Sequence, residues 1–363
     1  MRAFTSLLLC VALLSQIMPA LAADAAPYVD RGNAYYDLKQ YENAIKEYDQ
    51  AIRLKPDDAL AYFNRGNAYY RLKQYANAIK DYDQAIRLEP DNAAAYDNRG
   101  LAYDELKQYA NAIKDHDQAI RLKPDAVAYG NRGVVYYRLK QYANAIKDYD
   151  QVIRLKPDHA PAYLARGAAY AELKQYANAI TDYDQAIRLR PDDALAYVDR
   201  GWSYSMVKKY DAAIADFTQA IRLSPADAQL RFLRCDAYAA AGRSKEALAD
   251  CQRAVELDPG NKDYAEALKQ MRGGGLSGTD VLIGLGVIGG LMLIWGGSSG
   301  NAETPKRPES SQDSTTFNPA PDPYEDMRRE WWGRQGPGLF GSCPSGAAPT
   351  KPSYPGAIYS RSC

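Results

Sequence analysis

Apolar and polar positions along this chain follow the spacing of helix faces, and they do so in pairs of short segments. In Leu72–Pro90, LKQYANAIKDYDQAIRLEP, residues Ala78, Ile79, Tyr82, Ala85 and Ile86 fall at three- and four-residue intervals, one face of a helix. Tyr62 to Leu72 carries a second helical pattern ahead of it, and a Lys-Gln-Tyr turn separates the two. Pro90 stops the helix and Asp91-Asn92 offers a cap for the next. Close copies of the stretch end at Pro56, Pro124, Pro157, Pro191 and Pro225, and a worn copy ends at Pro259. The step is thirty-four residues, except for one of thirty-three between Pro124 and Pro157. Gly32, Gly66, Gly100, Gly133, Gly167 and Gly201 precede these prolines by one fixed offset, and Cys235 takes that place in the seventh copy. A period of this size predicts an all-α solenoid, in which each helix pair needs its neighbours to bury its apolar face.

The second unit sets Tyr62, Gly66, Tyr69, Ala78, Tyr82, Ala85 and Pro90 at intervals that the other units follow. This pattern resembles the tetratricopeptide repeat family, a helix–turn–helix of about thirty-four residues with aromatic, Gly, Ala and Pro at those places. The resemblance implies a right-handed α-solenoid of seven repeats, at 25–58, 59–92, 93–125, 126–159, 160–193, 194–227 and 228–261, closed by a capping helix at 262–272. It also implies a concave groove, lined by the first helix of each repeat, where peptides bind.

The chain departs from the family in ways that carry chemistry. Where the family has Leu before the Gly, this chain has Arg31, Arg65, Arg99, Arg132, Arg166, Arg200 and Arg234. Sixteen residues later each copy has an acid, Glu47, Asp81, Asp115, Asp148, Asp182, Asp216 or Asp250, so a ladder of Arg–carboxylate pairs within repeats is expected. As exposed pairs, each would contribute only about 0–1 kcal/mol. His116 replaces a Tyr as a packed ring. Cys235 and Cys251 face each other across the seventh hairpin, either as buried small residues or as a disulfide. The bond would close a loop of about fifteen residues, worth roughly 3 kcal/mol.

Second helices are near copies of one another, whereas first helices vary along one stripe. Its candidate partner-binding residues are Asn33, Tyr36, Phe63, Asn67, Tyr70, Arg71, Leu101, Asp104, Val134, Tyr137, Arg138, Leu164, Val198, Trp202, Met206 and Phe232. A drifting solvated face would become mostly polar. This one keeps large apolar side chains, as exposed anchors for a partner would require. The carboxylate clamp of tetratricopeptide co-chaperones is absent as a unit. Asn33 and Asn67 are in place, but Val29, Asp97 and Leu101 stand where its cations belong.

Forty-five basic residues balance forty-five acidic ones, so no net field favours nucleic acid. Two distant histidines, no paired-cysteine metal spacing and no nucleophile elbow argue against an enzyme, a metal or a cofactor. Arg2, the apolar run Leu7–Leu14 and Ala20-Leu21-Ala22 read as an export signal over residues 1–22. Val281–Trp295 is uncharged and, with its Gly and Ser flanks, is expected to form a single membrane span over 276–297. The alternative is an apolar segment that docks on another subunit of a soluble, secreted module. Gly284, Gly286 and Gly289 lack the strand–helix context of a dinucleotide loop, whereas Gly286 and Gly290 form a GxxxG pair through which two spans could dimerise. Residues 298–363 are rich in Pro, Gly and Ser and are expected to be disordered. The picture is of an exported, membrane-anchored scaffold for a protein or peptide partner.

Overall fold

The computed structural model describes residues 24–272, and these hold fifteen helices and no strand. They fall into two compact units, one ending at Val135 and the other beginning at Tyr136. The first contains α1 (Ala26–Asp37), α2 (Tyr41–Leu54), α3 (Ala59–Arg71), α4 (Tyr75–Leu88), α5 (Ala93–Glu105), α6 (Tyr109–Leu122) and most of α7 (Ala126–Arg138). The second contains the end of α7, α8 (Tyr142–Leu155), α9 (Ala160–Glu172), α10 (Tyr176–Leu189), α11 (Ala194–Met206), α12 (Tyr210–Leu223), α13 (Ala228–Ala240), α14 (Ser244–Leu257) and α15 (Lys262–Arg272). Consecutive helices pack on one another from α1 to α6 in the first unit and from α8 to α15 in the second. The expected export signal at 1–22, span at 276–297 with Gly286 and Gly290, and tail at 298–363 lie outside the described residues. Among the described residues no helix is long and apolar enough to cross a membrane.

Helix ends follow the sequence closely. Asp58 and Asn92 accept hydrogen bonds from the N–H groups of Ala61 and Ala95, and Asp193 and Asp227 cap α11 and α13 in the same way. His159 holds the equivalent place before α9 without a side-chain capping bond. The turns inside the hairpins are less obvious. Lys39, Lys73, Lys107, Lys140, Lys174 and Lys208 adopt a left-handed conformation with φ between 57° and 60°, and Gly242 does so in the last hairpin. Glycine is the usual residue there, because it has no Cβ to clash.

Close approach within the hairpins rests on the glycine row. A Cβ on Gly66 would stand 2.8 Å from Cε1 of Tyr82, a ring that is itself 1% exposed. Gly167 and Gly201 meet Tyr183 and Phe217 likewise. In the seventh hairpin Cys235 and Cys251 occupy the glycine and ring places together and are joined by a disulfide, with a Cα–Cα distance of 5.5 Å. One covalent bridge fills the space that the other hairpins give to an aromatic ring.

Arg31, Arg65, Arg99, Arg166, Arg200 and Arg234 make the expected pairs, and Arg65, Arg99, Arg166 and Arg200 make a second set besides. Arg65 places Nε and Nη2 on the two carboxylate oxygens of Asp81, at 2.8 and 2.7 Å. Its Nη1 reaches back to Asp49 of the preceding hairpin at 2.6 Å. Arg99 does the same with Asp115 and Asp83, Arg166 with Asp182 and Asp150, and Arg200 with Asp216 and Asp184. Each guanidinium therefore joins two successive hairpins. Tyr62 and Tyr69 flank the Arg65 guanidinium at 5.5 and 6.0 Å, adding cation–π contacts.

This corrects the expectation of exposed pairs. Asp81, Asp115, Asp182 and Asp216 are all buried. Burial holds the carboxyls of Asp81, Asp182 and Asp216 above their usual range, against the pull of their arginines. Burial also opposes the charge on Arg65, Arg99 and Arg200, but the hydrogen bonds they donate to the flanking carboxylates outweigh it and raise these guanidinium groups further.

Candidate functional site

In the unit ending at Val135, the stripe on the first helices is tied to the core by a polar relay. Asn33 Oδ1 accepts from the hydroxyl of Tyr48 at 2.8 Å and from Asn64 Nδ2 of the next hairpin at 3.0 Å. Asn67 is held identically by Tyr82 and Asn98, at 2.8 and 2.9 Å. Leu101 takes this place in the third hairpin, and the relay moves one turn along α5. Asp97 Oδ1 lies 2.7 Å from Nδ1 of the fully buried His116, and its Oδ2 accepts from Asn131 Nδ2 at 2.9 Å. The exchange of Tyr for His is thus matched by the exchange of an apolar residue for Asp97.

Around this relay lies an aromatic row. Tyr36 packs edge-on against Tyr41, and Tyr70 against Tyr75, with ring centroids 5.2 and 5.3 Å apart. Arg71 Nε donates to the Tyr36 hydroxyl at 3.0 Å, and Tyr75 donates to Glu105 Oε2 at 3.1 Å. Burial raises the hydroxyls of Tyr36 and Tyr70, in Tyr36 against the influence of Arg71. Phe63 leans on the Tyr82 ring at 6.0 Å. Asp104 and Val134 are buried.

In the unit beginning at Tyr136, Tyr137 is buried against Tyr142 and donates to Glu172 Oε1 at 3.4 Å, while Arg138 stays partly exposed. Leu164 and Val198 are core residues. Trp202 is partly exposed, its ring edge-on to Tyr176 at 5.7 Å, and Met206 stands 41% exposed. Phe232 is covered by Tyr264 of α15, ring to ring at 4.8 Å.

Family models described as tetratricopeptide repeat match residues 59–92, 126–159 and 160–193, then 81–114 and 198–262, and a TPR repeat model matches 32–73. The chain belongs to the tetratricopeptide repeat family. Solved structures agree on the fold. The C-terminal part of a TPR repeat-containing protein from Cytophaga hutchinsonii is 21% identical, with a TM-score of 0.58, covering 66% of this chain and 98% of that one. A tetratricopeptide repeat protein from Parabacteroides merdae is 22% identical, with a TM-score of 0.50, covering 68% and 98%. Among curated proteins there is no match.

In this tetratricopeptide protein the expected row of exposed anchors is only partly open. Asn67, Asp104, Val134, Tyr137, Leu164, Val198 and Phe232 are buried. Asn33, Tyr36, Phe63, Tyr70, Arg71, Leu101, Arg138 and Trp202 are partly exposed, and Met206 is the most open of those named. The physical reason is that the stripe covers two surfaces. One edge of each first helix faces open space, and the other seals against a ring of its own hairpin or the helix that follows. Aromatic residues serve both. Sequence reasoning missed the second acid row, Asp49, Asp83, Asp117, Asp150 and Asp184. Its signal was present in the repeated Asp-Tyr/His-Asp triplet, Glu-Tyr-Asp in the first repeat, in which the first acid faces its own hairpin and the second the next arginine.

Proposed function

We propose that this tetratricopeptide protein is a non-enzymatic scaffold that binds an extended peptide or protein segment along the first helices of its repeats. One observation carries the reading. First helices differ from copy to copy on the face that holds Tyr36, Phe63, Tyr70 and Arg71 in one unit and Trp202 and Met206 in the other, while the second helices of repeats one to five barely change. Those side chains stay at least partly exposed, and several are held in place by neighbours: Arg71 by Tyr36, Tyr70 by Tyr75, Trp202 by Tyr176. A partner meeting them would find rings whose conformational freedom is already spent, which favours tight association. The repeat family itself supports an interaction role over catalysis.

The expected export signal at 1–22 and the span expected over 276–297, uncharged from Val281 to Trp295, support an array displayed outside the cytoplasm and tethered to a membrane. The test uses the full chain recovered from its native membranes. Phe63→Ala and Trp202→Ala are expected to reduce recovery of the same co-purifying partner while the helical circular dichroism is unchanged. Undiminished recovery with both substitutions would refute the reading. Retention of the chain on membranes after carbonate washing is the outcome expected for a span. Its release would support the soluble module instead.

A further inference from the structure

The seventh repeat carries a carboxylate whose hydrogen-bond donors have been removed. Asp236 on α13 stands where Asn33 and Asn67 stand in the first two repeats. There, the side-chain oxygen receives one bond from a Tyr fifteen residues later and one from an Asn thirty-one residues later. At the same offsets from Asp236 the chain has Cys251, closed in the disulfide, and Ala267 on α15. Neither can donate. Asp236 Oδ2 is consequently buried with no hydrogen-bond partner, although the residue as a whole remains partly exposed.

An ionised carboxylate in such a place is costly unless something supplies a counter-charge. The described residues put no ion pair on it. Tyr264, from the capping helix, adds no cation, and burial alone holds the Asp236 carboxyl well above the usual carboxylate range. Asn at this position would keep the shape of the earlier repeats without the charge, so the acid has a cost that packing does not explain. One repeat earlier the same register position is Trp202, partly exposed, with the exposed Met206 one turn further along α11.

We propose that Asp236 receives the guanidinium or ammonium head of an Arg or Lys side chain from a partner segment whose apolar residues rest on Trp202 and Met206. The proposal rests on the groove reading above and names the chemistry of one subsite within it. The segment it selects carries a basic residue within a few positions of a large apolar one.

The probe is a set of dodecamer peptides selected from a random phage library against the full-length chain in detergent micelles. Each selected peptide is then measured by fluorescence polarisation in two forms, with its basic residue as Arg or as uncharged, isosteric citrulline. Wild-type protein is expected to prefer Arg by about tenfold or more, the scale of one charge-assisted hydrogen bond. D236N, which installs the residue of repeats one and two, is expected to bind both forms equally. Equal binding of both forms by the wild type would overturn the proposal without any variant. An Arg preference that survives in D236N would overturn it too, and either result leaves the groove reading standing. Peptide binding indifferent to Trp202→Ala and Phe63→Ala would remove the groove reading and the subsite together.

Discussion

Replacing Asp115 by Asn should weaken the array far more than the same change at Asp83, although both acids bind one guanidinium. Arg99 contacts Asp115 through Nε and Nη2, both at 2.7 Å, and Asp83 through Nη1 at 2.6 Å. The side chains differ in exposure: 5% for Asp115, 45% for Asp83 and 17% for Arg99. An exposed single-point pair of the Asp83 type is worth about 0.2–1 kcal/mol. Breaking a buried pair by removing one partner costs about 3–5 kcal/mol, because the other charge is stranded. Arg99 keeps Asp83 and some water, so a loss of about 2–3 kcal/mol is expected for Asp115→Asn. The gap of about 2 kcal/mol corresponds to roughly a thirtyfold difference in local opening. A repeat array need not unfold in one step, so a global melting curve averages over this difference. Native-state hydrogen exchange of the amides in α5 and α6 resolves it. Equal losses for the two substitutions, or a loss under about 0.5 kcal/mol for Asp115→Asn, would refute the assignment of the inner acid as the structural one.

Three further outcomes follow from the same geometry. Gly66→Ala puts a methyl within 2.8 Å of a ring that has nowhere to go, and urea titration should show a loss of about 1–3 kcal/mol, with an unchanged midpoint counting against the wedge. His159→Asp restores the cap that Asp58 and Asp193 provide elsewhere and should stabilise α9 by about 1 kcal/mol in hydrogen exchange. The same residue has a pH signature. Burial, with Lys156 and Arg190 nearby, lowers the His159 imidazole from its ordinary 6.5, so the stability it contributes is present above that pH and fades as the pH falls through the folded value; in the Asp variant that component disappears. Reduction of the Cys235–Cys251 bond, which spans sixteen residues, should cost the last hairpin roughly 3 kcal/mol and expose α13 to α15 to limited proteolysis while earlier hairpins stay protected. Equal susceptibility before and after reduction would contradict that.

Repetition made the helix pairs legible, because a glycine, an alanine pair and a proline at a fixed period leave few other ways to pack. The inner acids were legible for the same reason: a separation of sixteen places two residues opposite each other in one hairpin. The outer acids were not, since pairing Asp49 with Arg65 requires knowing how one hairpin stacks on the next. The six left-handed lysines were hidden too, because the stacked helices on either side impose a conformation that lysine does not favour by itself. At the candidate site the ambiguity was chemical. Tyr137, Leu164 and Phe232 vary like surface residues yet lie in the core, while Trp202 and Met206 vary and remain accessible. Variation marks where the copies were free to differ, and burial then divides those positions between repacking and recognition. Asp236 could be recognised only once Tyr82 and Asn98 had been seen serving Asn67, since its meaning lies in the donors it lacks.

Site-specific photo-crosslinking tests the central claim most directly. A benzophenone side chain is placed at Phe63 or Met206 on first helices, or at the exposed Lys80 and Thr181 on second helices, and the full chain is irradiated in its native membranes. The account predicts that Phe63 and Met206 each capture the partner, and that Lys80 and Thr181 do not. Capture of that partner from Lys80 and Thr181 with none from Phe63 and Met206 would contradict it.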